Sequence, residues 1–182
     1  MLAPDTLDLA ERAELAINGI IDTIDPDLHY MMFFHVYYHY KTPWMRHHCA
    51  DVTCDPKYAE SLPMMRIICG SKRYADIEAG QRTELVSRIR NGLYWNFADP
   101  ARPWRTSYNP VFDGIPKDED LANVGANGRM LRTLLTWKEV DGNKSWDKTI
   151  RELVRGLARI AVKHEDYSYY PNGGFDEPLA SA

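Results

Sequence analysis

The stretch from residue 123 to residue 164 does more than any other to limit how this chain can fold. Met130, Leu134 and Trp137 fall on one apolar stripe beside Leu131 and Leu135. Trp146, Ile150, Leu153, Val154, Leu157 and Ala161 repeat the pattern. Spacings of three and four residues place such side chains on one face of a helix. Between the stripes, residues 140–145 read Val-Asp-Gly-Asn-Lys-Ser. Gly142 suits the left-handed position that closes a helix, and Asn143 or Ser145 can cap the next one. The stretch therefore predicts two amphipathic helices joined by a tight turn.

The plan recurs upstream. A first helix is expected over residues 5–23, after Pro4, with Thr6 or Asp8 as cap and Ala10, Ala13, Ile17, Ile20, Ile21 and Ile24 as its buried stripe. Asp25-Pro26-Asp27 stops it. A second starts at Asp55-Pro56, a capping residue followed by proline at the first helical position. It carries Tyr58, Leu62, Met65 and Cys69, with a kink at Pro63, and ends at Gly70. A third begins near Asp76 and carries Leu85, Val86, Ile89 and Leu93, so that 56–92 forms a second hairpin. The expected fold class is all-α, as one helical-hairpin domain over residues 1–182. Residues 29–40 are the exception, because their richness in Tyr and Phe favours an extended segment. His29, His35 and His39 share one face of it, yet residues four apart on a strand are separated by roughly 13 Å, too far to hold one ion.

Composition sets the outer limits. With 45 % apolar and 26 % charged residues, the chain can bury a core and is not of the disordered class. A net charge of −4 gives no concentrated basic face for nucleic acid. No run approaches the roughly 20 apolar residues of a membrane span. Residues 1–24 hold acids and no uninterrupted apolar core, so no signal peptide is expected and the literal reading is cytoplasmic. Cys49, Cys54 and Cys69 are odd in number and form no CxxC pair, which favours reduced thiols. Arg46-His47-His48-Cys49 with Asp51 and Cys54 is the densest polar constellation, but its spacing matches no zinc site. Neither metal nor cofactor is expected.

The connections alternate in length. Helices one to two and three to four are joined by about thirty residues each, whereas two to three and four to five take about five. Antiparallel helices joined by short turns place successive long connections at one end. Segments 25–55, 93–121 and 165–182 should therefore converge on a single face, where the second and fourth helices also point their N-termini. These segments are rich in rings: Trp104, Tyr108, Tyr169 and Tyr170 are the clearest cases. A rigid scaffold with one face of long aromatic loops is a common way to build a binding cleft.

The run Asn127-Gly128-Arg129-Met130-Leu131-Arg132, followed by Trp137, Trp146 and Leu157, resembles the hairpins of the six-hairpin glycosidase-like proteins, the (α/α)6 toroids of bacteria. Tyr169-Tyr170-Pro171-Asn172-Gly173-Gly174-Phe175 follows it as loops follow hairpins in that architecture. The resemblance implies part of an α/α toroid acting on carbohydrate. Such toroids have six hairpins, so five helices correspond to about half, as in an N-terminal portion of something longer.

Glycoside cleavage uses two carboxyl groups facing the bond, one as acid and one as base or nucleophile. Asp51, just before the second helix, and Asp166, beside the tyrosine run, are the candidate pair. Candidate substrate-binding residues are Arg46, His47, Trp104, Tyr108, Asn127, Arg129, Tyr169 and Tyr170. Rings would stack on sugar faces, while guanidinium, amide and imidazole groups hold hydroxyls. The expected partner is a carbohydrate ligand. Alternatives are a non-catalytic binding module with an aromatic loop face, and a sugar epimerase or lyase with opposed histidines.

Overall fold

The computed structural model describes residues 8–38, 41–47, 54–95 and 122–170. Within them the chain is mostly helical: α1 (Leu9–Ile21), α2 (Cys54–Cys69), α3 (Ala75–Ser87), α4 (Val124–Asp141) and α5 (Trp146–Ile160). Short strands occupy the connections. β1 (Ile24–Asp25), β2 (Met31–Tyr37) and β3 (Trp44–His47) form an antiparallel sheet in that order. β4 (Ile89–Arg90) pairs with β5 (Leu93–Tyr94), and β6 (Val162–Lys163) pairs with β7 (Ser168–Tyr169). Among the described residues no helix is long and apolar enough to cross a membrane.

Local chemistry sets most helix ends. Asp8 caps α1, its carboxylate accepting from the backbone N–H groups of Ala10 at 2.9 Å and Glu11 at 3.2 Å. Asn123 caps α4 by accepting from Ala126 N–H. Gly142 closes that helix at φ 66°, a conformation that costs a glycine little. Ser145 begins α5 without a side-chain cap bond, and Asn143 instead accepts from Ser145 N–H.

Two expected helices end early. The third helix, expected to run through Ile89 and Leu93, stops at Ser87. Asn91 and Gly92, at φ 52° and 72°, turn the chain into the β4–β5 hairpin. Two consecutive left-handed residues are what a tight hairpin needs, and Asn-Gly supplies them at low cost. The fifth helix stops at Ile160, and β6–β7 replaces its last expected turn. Of the segment expected to be extended over 29–40, residues 31–37 are so, whereas His29 and Tyr30 are left-handed turn residues at φ 55° and 53°. Met31 and Met32 are both buried, and the register shifts between Phe33 and His35.

α2 is the central helix. Its Leu62 packs with Ile17 and Ile21 of α1, and its Ala59 with Met130, Leu134 and Trp137 of α4. Pro63 lies inside α2, where its missing N–H leaves the Ala59 carbonyl without its helical donor. The buried Trp137 indole N–H supplies that bond from α4 at 3.1 Å. Thr133 donates to the Pro56 carbonyl at 2.8 Å. Buried Glu60 accepts from Arg132 at 2.7 Å and Thr136 at 3.3 Å, with Arg129 at 3.9 Å. Because Pro56 meets Thr133 and Ala59 meets Trp137, α2 and α4 run in the same direction. α3 runs back against α2, since Glu78 binds Arg66 while Arg88 faces Asp55. Two helical hairpins thus stand side by side with their first helices parallel and adjacent.

Candidate functional site

That direction of travel decides which ends meet. Arg88, just past α3, reaches Asp55 at the start of α2 at 3.5 Å, Glu84 at 3.0 Å, and the Met31 sulfur on β2 at 3.3 Å. The connection after α1 and the ends of α2 and α3 therefore share one place. β4–β5 then ties α3 to α4 and α5. Asn127 in α4 accepts from Tyr94 N–H at 2.6 Å and donates to Tyr94 C=O at 3.0 Å and Asn123 C=O at 2.8 Å. Gly92 lies so close to Gly156 that a Cβ on the latter would sit 1.8 Å from the Gly92 carbonyl oxygen. Arg159 donates to the Asn91 carbonyl at 2.9 Å.

Trp95 and Ala122, at either end of segment 96–121, pack together with Leu93 and Ile160 in one buried cluster. That segment leaves and re-enters the scaffold at the same point. Tyr170, where the described chain stops, donates its hydroxyl to the Leu157 carbonyl at 3.2 Å. All three long connections depart from this end, hereafter the rim.

The floor of the rim is ionic and buried. Arg88 is 1 % exposed and Asp55 6 %. Burial works against the Arg88 charge, but Tyr94, Asp55 and Glu84 outweigh it and leave its pKa above the ordinary value. Tyr94 is wholly buried beside the Arg88 guanidinium. Burial drives its pKa well above the usual phenol range, although the Arg88 cation pulls the other way. Sequence reasoning missed this group. Asp55 reads as a helix cap and Tyr94 as one loop aromatic among many, and Arg88 falls inside what looks like a longer helix.

The surface of the rim is aromatic. In the turn from β6 to β7, His164 N–H donates to the Tyr167 carbonyl at 2.8 Å. The rings of His164 and Tyr167 lie 4.5 Å apart at 16°, those of His164 and Tyr169 5.8 Å apart at 15°, and those of Tyr167 and Tyr169 6.3 Å apart at 28°. The longest separation is far short of the other two combined. The rings therefore form a staggered triangle rather than a column, and none is sandwiched. Tyr167 is 56 % exposed and Tyr169 46 %.

The sequence-predicted residues fare differently. Tyr169, Tyr170 and Asp166 all lie on or beside the β6–β7 hairpin at the rim, and all three are exposed. Asn127 lies beneath the rim, where both its amide N–H donations and its carbonyl acceptance serve the protein's own backbone. Arg129 stands beside Glu60 in the α2–α4 contact. Arg46 and His47 lie on β3, opposite His35 and Phe33; their side chains fall outside the described ones. Asp51, Trp104 and Tyr108 lie outside the described residues. Cys54 and Cys69 stand at the two ends of α2. Among the described residues no group of three or more His, Cys, Asp and Glu could hold a metal ion.

A cavity of about 460 Å³ opens at the opposite end, between the C-terminal parts of α2 and α4 and the start of α3. Its Arg66 and Arg82 are held by Glu78 at 2.6 and 2.7 Å, and Arg82 also faces Asp141 at 3.6 Å. Those carboxylates neutralise the guanidinium pair, and the remaining wall is largely apolar. Comparison of the chain with protein-family models, with curated proteins and with solved structures returns no match.

Proposed function

We propose that this chain is a carbohydrate-active portion of an α/α toroid, glycoside-hydrolase-like in plan, that holds a glycan at the rim. The observation that carries the reading is the common end from which the three long connections depart. α2 and α4 run parallel and adjacent, each backed by an antiparallel helix. An up-and-down bundle makes its neighbours antiparallel, whereas hairpins set side by side around an axis bring first helix against first helix. Long connections on one end of such a scaffold form a ligand surface, and this one carries open aromatic rings suited to the C–H faces of sugars.

In this reading Asp166 and Asp51 are the acid–base pair. Catalysis requires their carboxyl groups to stand roughly 5–9.5 Å apart across the bound glycosidic bond. Incubating the full chain with a panel of oligosaccharides and measuring reducing ends tests it. Hydrolysis that Asp166→Asn and Asp51→Asn each abolish supports the proposal. Hydrolysis that survives both variants overturns the residue assignment.

The exposure of Asp166 favours a second reading, a glycan-binding module without catalysis. A glycosidase acid is held in a pocket that tunes its proton affinity, and Asp166 stands in an open turn. Binding without any release of reducing ends selects this reading.

A further inference from the structure

α5 turns a face of nearly one sign to solvent. Lys148, Arg151, Arg155 and Arg159 follow one another at spacings of three and four, which puts them on one side of the helix, and all four are exposed. The other side is taken up by the core: Leu153, Gly156 and Ile160 are buried, and Trp146, Ile150 and Leu157 pack against their neighbours there. Lys144 in the turn before the helix and Lys163 after it are exposed too. Residues 144–163 hold six cations against two carboxylates, in a chain whose net charge is −4. The total averages this face away. Nor do the two carboxylates cancel it. Asp147 is held by Lys138 of α4, and Glu152 stands 3.9 Å from Lys148. The Lys138 hydrogen bond keeps the Asp147 carboxyl below the usual carboxylate range, and the charges of Arg151 and Lys144 add to the effect.

We propose that this face of α5 docks duplex nucleic acid through its phosphates. The proposal stands apart from the glycan reading of the rim. Sign alone calls for a polyanion, and shape and chemistry choose among polyanions. The four helical cations line about 17 Å of a straight, rigid element, over which a duplex presents roughly ten phosphate charges. A duplex is also stiff, with a persistence length of about 50 nm, so the two meet with little ordering cost. A flexible acidic peptide or polysaccharide must first be straightened. Three of the four cations are arginines, whose forked guanidinium groups suit phosphate oxygens. A bilayer of acidic lipid fits less well, because a helix lying on one also inserts apolar side chains. Of its large apolar residues α5 leaves only Val154 exposed. Acidic groups elsewhere on the chain act weakly at the row, since charges are screened over about 8 Å at physiological salt.

The test is fluorescence polarisation of a short labelled DNA duplex titrated with the full chain at about 50 and about 200 mM salt, with circular dichroism to verify the fold of each variant. Four phosphate contacts predict binding about a hundredfold weaker at the higher salt. Arg151→Gln combined with Arg155→Gln removes two of the four. It should weaken binding at the lower salt by about tenfold or more and roughly halve the logarithmic salt dependence. Arg12→Gln, which removes an exposed cation of α1, should bind within a few-fold of the parent. No binding of the duplex at the lower salt overturns the proposal, and so does binding that the double variant retains. Polyglutamate, polygalacturonate and phosphatidylserine vesicles, each at the same concentration of anionic groups, should displace the labelled duplex less well than unlabelled duplex does. Displacement by any of them as effective as by unlabelled duplex reassigns the face and overturns the choice of occupant. None of these results bears on the glycan reading, which the reducing-end assay decides.

Discussion

Replacing Gly156 with alanine should destabilise the protein, whereas the same replacement at Gly128 should stabilise it. Both glycines lie inside helices, α5 and α4, where alanine gains up to about 1 kcal/mol in helix propensity. They differ in what the added methyl meets. At Gly128 nothing lies within 4 Å, so the propensity gain is realised. At Gly156 the Cβ would stand 1.8 Å from the Gly92 carbonyl oxygen, 2.5 Å from its carbon and 3.1 Å from its Cα. Those are backbone atoms of the β4–β5 turn, which no rotamer change can move aside. Forcing extra volume into a packed contact costs about 1–3 kcal/mol. Relieving this one means lifting β4–β5 off α5, which exceeds the gain in propensity. For a chain of this size each kcal/mol moves the midpoint by about 2–4 °C. Thermal unfolding followed at 222 nm should place Gly156→Ala a few degrees below the parent and Gly128→Ala level with it or above. Two shifts of the same sign would refute the close packing of the hairpin on α5, and with it the tie between α3 and α5 at the rim.

Removing Asn127 as Asn127→Ala leaves the Tyr94 N–H and C=O buried without a partner, each at about 1–3 kcal/mol. Urea titration should show a lower midpoint with an unchanged slope. Arg88→Met takes the cation away from buried Asp55, and breaking such a pair costs about 3–5 kcal/mol, enough to leave the protein partly unfolded at 37 °C by circular dichroism. Tyr94 governs the alkaline side. Its folded pKa lies above the unfolded value of about 10. The folded state therefore keeps a proton that the unfolded chain releases. Stability is unaffected below pH 10 and falls as the pH climbs from there toward the folded pKa, by up to about 1.4 kcal/mol per pH unit. Tyr94→Phe should abolish that slope at little cost near neutrality, because Arg88, its polar neighbour, keeps its pairs with Asp55 and Glu84. Chemical denaturation between pH 8 and 11 compares the two, and parallel curves would contradict the role given to Tyr94.

The sequence displays the helical scaffold plainly because its signals are local. Asp55-Pro56 in the first turn of α2, Gly70 after it, Asn123 before α4 and Gly142 between α4 and α5 each act through one residue's own backbone preference, and each falls within two residues of the observed boundary. Periodicity also identifies the stripe Ala13, Ile17, Ile21 and Ile24, although Ala10, expected beside it, is exposed at the first turn. The β4–β5 hairpin was legible too. Asn91-Gly92 is a strong turn signal, but Ile89 and Leu93 continue the helical spacing of Leu85 and hide it. What local patterning cannot reveal is which element a side chain meets. Asp55 lies 33 positions before Arg88 and joins Arg88 and Tyr94 only after α2 and α3 pack, so their cluster carries no sequence signature. Pro63 and Trp137 are another case: a proline that should weaken α2 is compensated by an indole 74 positions away. Gly128, which suggests a close helix approach, has open surroundings, and Gly125 meets only the side chain of its own helix cap, Asn123, at 3.2 Å; the tight backbone contact belongs to Gly156 instead.

Hydrogen–deuterium exchange of the full chain with and without a saturating oligosaccharide that it binds from the panel tests the rim most directly. The account predicts slowed exchange in residues 89–95, 122–127 and 157–170, with the turn between α2 and α3 at residues 70–75 unchanged. Protection centred on 70–75 and the C-terminal turn of α4, with residues 157–170 unaffected, would contradict it.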